Sequence, residues 1–434
     1  MARNLRQEVK PRRSSSSAGS STMTTRRTLI IRLPAAALAI ALVSRSLLAA
    51  DKRVVVGIDV SLTGAGAEDA ILVKNGAMMA VDEANASGGV AGYTVEAMVL
   101  DDGTVTAGQY DPAQAANNAR KMVATPEVVA AIGPQNSGCG KAMAPIFSQG
   151  DLATITPSST NPDLTDPKFA TQFDPSGRPI YFRVVTTDAY QGPDMANYMA
   201  QVLNVKKVYI LDDSGAYGVG IANTFEGQAK KNGVEVLGHD QLNPLEADYT
   251  TLLIKLKALS PDALYYGGSA LTAVKLAKQS WQVIPDVIKA GGDGVYSAAL
   301  LKGAGFPAMQ GWYATIAAPY LAENPAVQPW IKRFTEKYGL GPSSYAFTAY
   351  DATLVALDAI RRVAQSGAPV TRSAVRDAIQ TAKVETLQGT VSFDRYGDIN
   401  DRTISVFQAH EDRNFPPEAV LHQYKYLGVA PQSV

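Results

Sequence analysis

Glycine and hydroxyl residues recur in short loops that directly follow apolar runs of the sequence. These loops are 61–64, 133–138 and 157–160 in the first half of the chain, and 212–218, 267–269 and 291–294 in the second half. Hydroxyls and the free N–H groups of a helix N-terminus together form a site for a carboxylate. Asp293 lies between glycines in the last loop, where an acid can pair with an ammonium group. The two sets of loops therefore predict a site for a zwitterion, although each serine or threonine taken alone is as well explained as a helix cap.

The apolar runs before these loops alternate with segments of helical periodicity. We expect strands at 54–58, 93–100, 128–132 and 153–156 and, after the pattern restarts beyond residue 186, at 205–211, 234–238, 263–266 and 286–290. Strands that alternate with helices at this spacing form parallel sheets. The two rounds predict an α/β protein with two similar, doubly wound parallel-sheet lobes. Open sheets of this kind bind ligands beyond the carboxyl ends of their strands, which is where the loops fall.

Composition and charge exclude several other classes of protein. A chain of 434 residues with 46% hydrophobic and 18% charged residues is typical of a soluble protein with two domains. Nine of the 40 basic residues and one of the 40 acidic residues lie in residues 1–50, so the remainder carries 31 basic and 39 acidic residues, a net charge of −8. Because phosphate binding needs a basic face, we expect no nucleic-acid partner.

The first 50 residues have the pattern of an export signal. Arg26 and Arg27 precede an apolar run at 28–43, and the small residues Ala49 and Ala50 follow it. A positive region, an apolar stretch and small residues form a signal peptide, so we expect a leader over 1–50 and a mature protein in the periplasm. The paired arginines also suit the twin-arginine route, and the general export route and a start at Met23 stay open as alternatives.

Several segments together resemble the periplasmic leucine/isoleucine/valine-binding proteins. They are Ser61-Leu62-Thr63-Gly64, Asp82 to Asn85 followed by Gly88-Gly89, Asp101-Asp102, Ile132-Gly133, Pro157 to Pro162, Tyr217-Gly218 and Tyr265 to Gly268. The resemblance covers nearly all of 53–410 and implies a type I periplasmic binding fold, whose lobes are joined by three crossings. Lobe one would then be 51–184 with 316–388, and lobe two 185–315 with 389–434. The resemblance also implies delivery of the solute to the inner-membrane permease of an ATP-driven (ABC) importer.

The resemblance assigns roles to individual residues. Ser137, Ser158 and Thr160 match the positions that hold the ligand's carboxylate and ammonium groups in lobe one. Tyr217 matches the residue of lobe two that closes over the ligand, and Asp293 matches the acid that binds the ammonium group.

Two departures from the family pattern affect the expected ligand. Asp69 and Ser269 stand where aromatic residues are often found, so two apolar walls are lost. We therefore expect a ligand with a polar side group rather than leucine, isoleucine or valine. Asp69 would favour a hydroxyl, amide or cationic group if it faces the cleft, and would say nothing if it faces solvent.

Other classes of function are weighed against binding. The three histidines, His239, His410 and His422, have no partner at catalytic or metal spacing, and Cys139, the one cysteine, has no nearby histidine. We therefore expect no enzyme, no metal and no cofactor, and hinge closure around a ligand by a monomer. A ligand-sensing protein that passes an amide or a small organic acid to a membrane sensor stays open as an alternative.

Overall fold

The computed structural model describes residues 52–433, so the expected leader at 1–50 lies outside the described residues. The strands are β1 (Lys52–Val60), β2 (Tyr93–Asp101), β3 (Gly103–Thr104), β4 (Gln109–Tyr110), β5 (Val128–Ile132), β6 (Thr154–Thr156), β7 (Tyr181–Arg183), β8 (Lys207–Asp212), β9 (Glu235–Gln241), β10 (Ala263–Gly267), β11 (Ile288–Gly291), β12 (Tyr313–Ile316), β13 (Val384–Thr386), β14 (Gly389–Val391), β15 (Ser405–Ala409) and β16 (Tyr424–Val429). The helices are α1 (Ala67–Ala86), α2 (Pro112–Ala124), α3 (Ser137–Gln149), α4 (Ala170–Phe173), α5 (Asp188–Gln201), α6 (Ala216–Lys231), α7 (Thr250–Ala258), α8 (Ala270–Val283), α9 (Ala298–Ala304), α10 (Gln328–Tyr338), α11 (Ser344–Gln365), α12 (Arg372–Gln380) and α13 (Val420–Gln423).

Lobe one is built on a five-stranded parallel sheet with the order β2-β1-β5-β6-β7. Side chains of β1 alternate between its two faces, because successive residues of a strand point in opposite directions. Val54 and Val56 pack in the core that contains α1 and α11, whereas Val55 packs with α2 and α3. Gly57 shares the second face, and a Cβ there would lie 2.6 Å from the sulfur of Met122. The sheet is therefore covered by helices on both faces, as a doubly wound fold requires.

Lobe two is built on a seven-stranded sheet with the order β16-β15-β12-β11-β10-β8-β9. Strands β8 to β12 are parallel, and β15 and β16 add to the β12 edge in antiparallel register. The α/β fold with parallel sheets is confirmed, and the antiparallel edge is an addition that the repeating pattern did not predict. Within residues 52–433, no helix is both long and apolar enough to cross a membrane.

Three segments of chain pass between the two sheets and lie side by side. The backbone N–H of Thr186, in the first crossing, donates to the carbonyl of Ala317 in the second at 2.9 Å. The hydroxyl of Ser405, the residue of β15 at which the third crossing ends, donates to the carbonyl of Ala318 at 2.8 Å. The second crossing begins only after Ile316, because 313–316 is a strand of the lobe-two sheet rather than part of the connection.

Candidate functional site

A cleft lies between the lobes at the carboxyl ends of the parallel strands. Six of the seven residues singled out from the sequence line it, and these are Asp69, Ser137, Ser158, Tyr217, Ser269 and Asp293. Thr160 is the exception: it is fully buried behind the cleft wall, and its hydroxyl faces the carboxyl group of Asp188. The loops that the sequence placed after separate strands therefore meet at one site.

The lobe-one wall of the cleft is rich in hydrogen-bond donors. Ser137 is the first residue of α3, and the N-cap residue before it, Asn136, makes no capping bond with its side chain. The N–H groups of the first turn therefore have no side-chain partner, and the positive end of the helix dipole faces the cleft. The hydroxyl of Ser158 lies beside them and donates to the carbonyl of Gln135 at 2.9 Å. This wall can bind a carboxylate.

The hydroxyl of Thr156, at the end of β6, holds the Pro157–Thr160 loop in place. Thr156 Oγ1 accepts the backbone N–H of Ser159 at 2.9 Å and donates to the carbonyl of Pro134 at 2.7 Å. The same hydroxyl accepts the N–H of Ser158 at 3.3 Å. A loop held at both sides loses little entropy when a ligand binds, which favours affinity.

The lobe-two wall presents a buried acid. Asp293 begins a 3₁₀ turn, Asp293–Val295, directly after β11, and one of its oxygens accepts the hydroxyl of Tyr217 at 2.7 Å. That hydroxyl also accepts the N–H of Gly294 at 3.1 Å. A Cβ at position 294 would lie 2.1 Å from the carbonyl oxygen of Gly268, so the tight approach requires glycine there. Tyr217 and the glycines thus fix the carboxyl group of Asp293 in the cleft.

A second acid, Asp188, lies close to Asp293. It is fully buried at the start of α5, and within the described residues neither of its oxygens has a hydrogen-bond partner of standard geometry. Burial raises the pKa of both acids, and the charge of Asp293 raises the pKa of Asp188 further. Among the described residues that line the cleft, none is a lysine, arginine or histidine. The buried guanidinium of Arg183 acts on Asp188 in the opposite direction, whereas Asp293 lines the cleft itself and favours a positively charged group there.

Asp69 lies at the cleft wall and connects the two lobes. Its oxygens accept the hydroxyl of Ser297 at 2.5 Å and the backbone N–H of Ala298 at 2.7 Å, both at the start of α9 in lobe two. Burial raises its pKa from 3.8 to about 6, although the two hydrogen bonds act in the opposite direction. Next to it, Lys302 pairs with Glu68 at 2.5 Å. We refer to the contacts of Asp69 with Ser297 and Ala298 as the Asp69 clasp.

Ser269 also takes part in contact between the lobes. Its N–H and hydroxyl donate to the carboxylate of Asp213 at 2.9 and 3.1 Å. Its hydroxyl also lies 3.3 Å from the side-chain oxygen of Gln109, which belongs to lobe one. The position that lost an aromatic residue therefore carries polar contacts instead.

Aromatic walls come from segments that the sequence analysis did not single out. Tyr110, Tyr296 and Tyr345 all line the cleft. Tyr110 lies in β4, a two-residue strand with no apolar run to indicate it, and Tyr345 lies in the first turn of α11. The cleft therefore has aromatic surface from other segments, in addition to Asp69 and Ser269 at the two positions where aromatic residues were expected to be lost.

The sequence matches the model of a family described as "Periplasmic binding protein" over residues 53–414. The chain belongs to this periplasmic binding protein family. It is 28% identical to the Leu/Ile/Val-binding protein homolog 3 of Brucella melitensis over 82% of this chain and 91% of that protein. It is 27% identical to the leucine-, isoleucine-, valine-, threonine- and alanine-binding protein of Pseudomonas aeruginosa, over 81% of this chain and 88% of the relative.

Solved structures of similar proteins agree on the fold. A leucine binding protein from Thermotoga maritima has a TM-score of 0.74 and 25% identity, and covers 87% of this chain and 98% of its own. The substrate binding protein of a branched-chain amino acid transporter from Streptococcus pneumoniae, solved with isoleucine, has a TM-score of 0.73 and 23% identity, with 88% and 100% covered. The type I periplasmic binding fold expected from the sequence is thus confirmed.

The residues considered for catalysis lie outside the cleft of this periplasmic binding protein. His239, in β9, lies between the carboxylates of Glu226 at 2.7 Å and Asp212 at 3.0 Å, a pairing that the sequence analysis missed because the three residues are distant in sequence. The hydrogen bond with Asp212 is the main cause of its raised pKa. Cys139 is fully buried in α3, and burial raises the pKa of its thiol well above the usual value. Within residues 52–433, no group of three or more His, Cys, Asp or Glu side chains is arranged so that it could hold a metal ion.

Proposed function

We propose that this protein captures an amino acid or an amino-acid-like zwitterion between its lobes in the periplasm and delivers it to the membrane permease of an ATP-driven importer. The relatives named above bind leucine, isoleucine or valine, and the name of the Pseudomonas protein adds threonine and alanine. We further propose that the protein acts as a monomer and is not an enzyme. A closing motion would bend the three crossings near 183–186, just after Ile316 and near 387–390.

One observation carries the ligand class: the two walls of the cleft have opposite electrostatic character. The uncapped start of α3 with Ser137 and Ser158 favours an anion, and Asp293 across the cleft favours a cation. The cavity has a volume of about 90 Å³. One water molecule occupies roughly 10–15 Å³ on the same scale, so the cavity has room for several. Several waters would thus leave when a small amino acid enters.

The side chain of the ligand would meet a mixed wall. Asp69, Gln109 and Ser269 offer polar groups, and Tyr110 and Tyr296 offer ring surface. A side chain with both an apolar part and a hydroxyl, amide or cationic group would satisfy this wall best, because an unpaired buried polar group is costly. We therefore propose that Asp69 and Ser269 select against a purely aliphatic side chain.

A thermal-shift screen of the twenty L-amino acids and their amides tests the ligand class, followed by calorimetry of each compound that shifts the melting temperature. At a hundredfold excess over Kd, a ligand should stabilise the fold by about 2.7 kcal/mol. The variants Ser137→Ala and Asp293→Asn should weaken binding, while Ser87→Ala and Asp286→Asn, on the surface away from the cleft, serve as matched controls. If no zwitterion shifts the melting temperature, the ligand class is wrong; full affinity in Asp293→Asn would refute the site.

A further inference from the structure

Two buried carboxyl groups, those of Asp59 and Asp102, lie behind the lobe-one wall of the cleft. Asp59 is 1% exposed and Asp102 is fully buried. One oxygen of Asp59 accepts the side-chain N–H of Asn118 at 2.7 Å, and one oxygen of Asp102 accepts the hydroxyl of Ser61 at 2.5 Å. The second oxygen of each acid is buried with no hydrogen-bond partner among the described residues, and the two carboxyl groups lie close enough for each to act on the pKa of the other. One proton held between the two acids would satisfy both of these oxygens.

The surroundings of this pair offer no positive charge to replace that proton. The titratable groups that interact with the two acids are Asp101, the phenol of Tyr110 and the thiol of Cys139, and none of these is a cation. Burial raises the pKa of both acids, and that of Asp59 rises well above its usual value because the charge of Asp102 adds to the effect. Burial and the neighbouring charge both favour a neutral carboxyl group, so the pair is suited to hold one proton that belongs to neither acid alone.

The pair is connected to the cleft through Ser61. Because the Ser61 hydroxyl donates to Asp102, its oxygen is free to accept, and it takes a side-chain N–H of Asn136 at 2.9 Å. Asn136 is the N-cap residue of α3 and has the extended backbone of an N-cap, with φ −107° and ψ 140°. Asparagine is among the best capping residues, yet this side chain makes no capping bond. Its bond to Ser61 explains why.

We propose that Asp59 and Asp102 share one proton and, through Ser61, hold the side chain of Asn136 away from the first turn of α3, which leaves the N–H groups of that turn open to the ligand's carboxylate. Asn136, Ser61 and the acid pair are thus positioning residues. The inference rests on the proposed function for its ligand, but the arrangement itself can be tested without any ligand.

The first test releases Asn136 with Ser61→Ala. The free asparagine then caps α3 by a change of side-chain rotamer alone, so the amide protons of Gly138 and Cys139 should exchange more slowly with solvent than in the wild type. Affinity for L-threonine and L-leucine should fall by about 2- to 30-fold, the range that one N-cap hydrogen bond supplies. The double variant Ser61→Ala/Asn136→Ala, which has no side chain to form the cap, should recover affinity and fast exchange, and Ser87→Ala should change neither.

Equal amide exchange in the wild type and Ser61→Ala would overturn the inference, and so would a double variant that binds no better than Ser61→Ala. The exchange measurement uses the protein alone, so it decides the inference even where neither amino acid binds the wild type. If neither amino acid binds the wild type, the proposed ligand class is contradicted and the inference about Asn136 is not.

The second test detects the shared proton. The infrared difference spectrum of wild type minus Asp59→Asn at neutral pH should contain the C=O band of a protonated carboxyl group, and the band should shift in heavy water. Asparagine at position 59 can still accept from Asn118 and donate to Asp102, so the fold should persist. Asp286→Asn, an exposed acid, is the matched control and should give no such band. Its absence from the Asp59→Asn difference spectrum would overturn the shared proton.

Discussion

The Asp69 clasp should contribute to lobe closure, and so to affinity, by an amount that the structure allows us to bound. Two hydrogen bonds to a charged group contribute about 1.5–3 kcal/mol each, or roughly 3–6 kcal/mol together. The pKa of Asp69 rises from 3.8 to about 6 even though these hydrogen bonds lower it, so burial outweighs them for the ionised form by about 3 kcal/mol. The clasp therefore offsets part of the burial cost of Asp69, and the coupling of Asp69 with Ser297 alone should be about 1 kcal/mol, the usual net value of one hydrogen bond.

A double-mutant cycle with Asp69→Ala and Ser297→Ala measures this contribution. Ser297 also caps α9 through the N–H of Leu300, so its single variant loses a cap as well as the clasp, and only the coupling between the two variants isolates the clasp. Calorimetry of the best ligand from the screen should give a coupling of about 1 kcal/mol, and small-angle scattering should show a more open ligand-free form for Asp69→Ala. A coupling near zero with unchanged scattering would refute the clasp.

The same acid gives closure a pH dependence, whose sign follows from the two states. In the open form Asp69 is exposed and should titrate near 3.8, whereas in the closed form its pKa is about 6. Closure therefore takes up a proton between these values, so affinity should rise as the pH falls from 7 toward 5, by at most about tenfold per pH unit. The Asp69→Asn variant should lose this part of the pH profile; a slope that persists in Asp69→Asn belongs to another group.

Three further predictions follow from single positions. Asp351 is fully buried, and burial raises its pKa to about 7. The free energy of unfolding of the wild type should therefore fall by up to about 1.4 kcal/mol per pH unit as the pH rises from 4 to 7. Denaturant melts of Asp351→Asn should lack that slope, and an unchanged slope would refute the role of Asp351. Gly294→Ala should lower the melting temperature and weaken ligand binding because of its contact with Gly268, whereas the control Gly227→Ala, which meets nothing within 4 Å, should be neutral or stabilising; equal effects would contradict the glycine argument. Cys139 should react with a maleimide only when the protein unfolds, as mass spectrometry across a urea series would show, and fast labelling of the native protein would contradict its burial.

The parts of the fold that local pattern encodes could be predicted from the sequence. The strand 128–132 has the expected bounds, because its apolar run is continuous. The loops after strands converge because parallel strands place their carboxyl ends at one edge. That regularity also brought Ser137 and Asp293, which are far apart in sequence, to opposite walls of one cleft.

The missed features depend on contacts between distant segments. Nothing near Asp69 in sequence indicates that the hydroxyl of Ser297, 228 positions away, donates a hydrogen bond to it. Tyr110 lies in a strand of two residues, which is too short for a period to be seen, and its role follows only from the way the hairpin faces lobe two. No strand was expected at 181–183, because three residues carry little pattern, yet this segment is the edge strand of the lobe-one sheet.

The central claim is that the cleft holds a carboxylate at the start of α3 and an ammonium group at Asp293. Calorimetry of the best amino acid from the screen beside two analogues, its deaminated acid and its amide, tests this most directly. We expect both analogues to bind at least about 100-fold more weakly, because each leaves one wall unpaired and a buried charge without its partner costs about 2–5 kcal/mol. If the deaminated acid binds as tightly as the amino acid, Asp293 does not hold an ammonium group and the account of the cleft is contradicted.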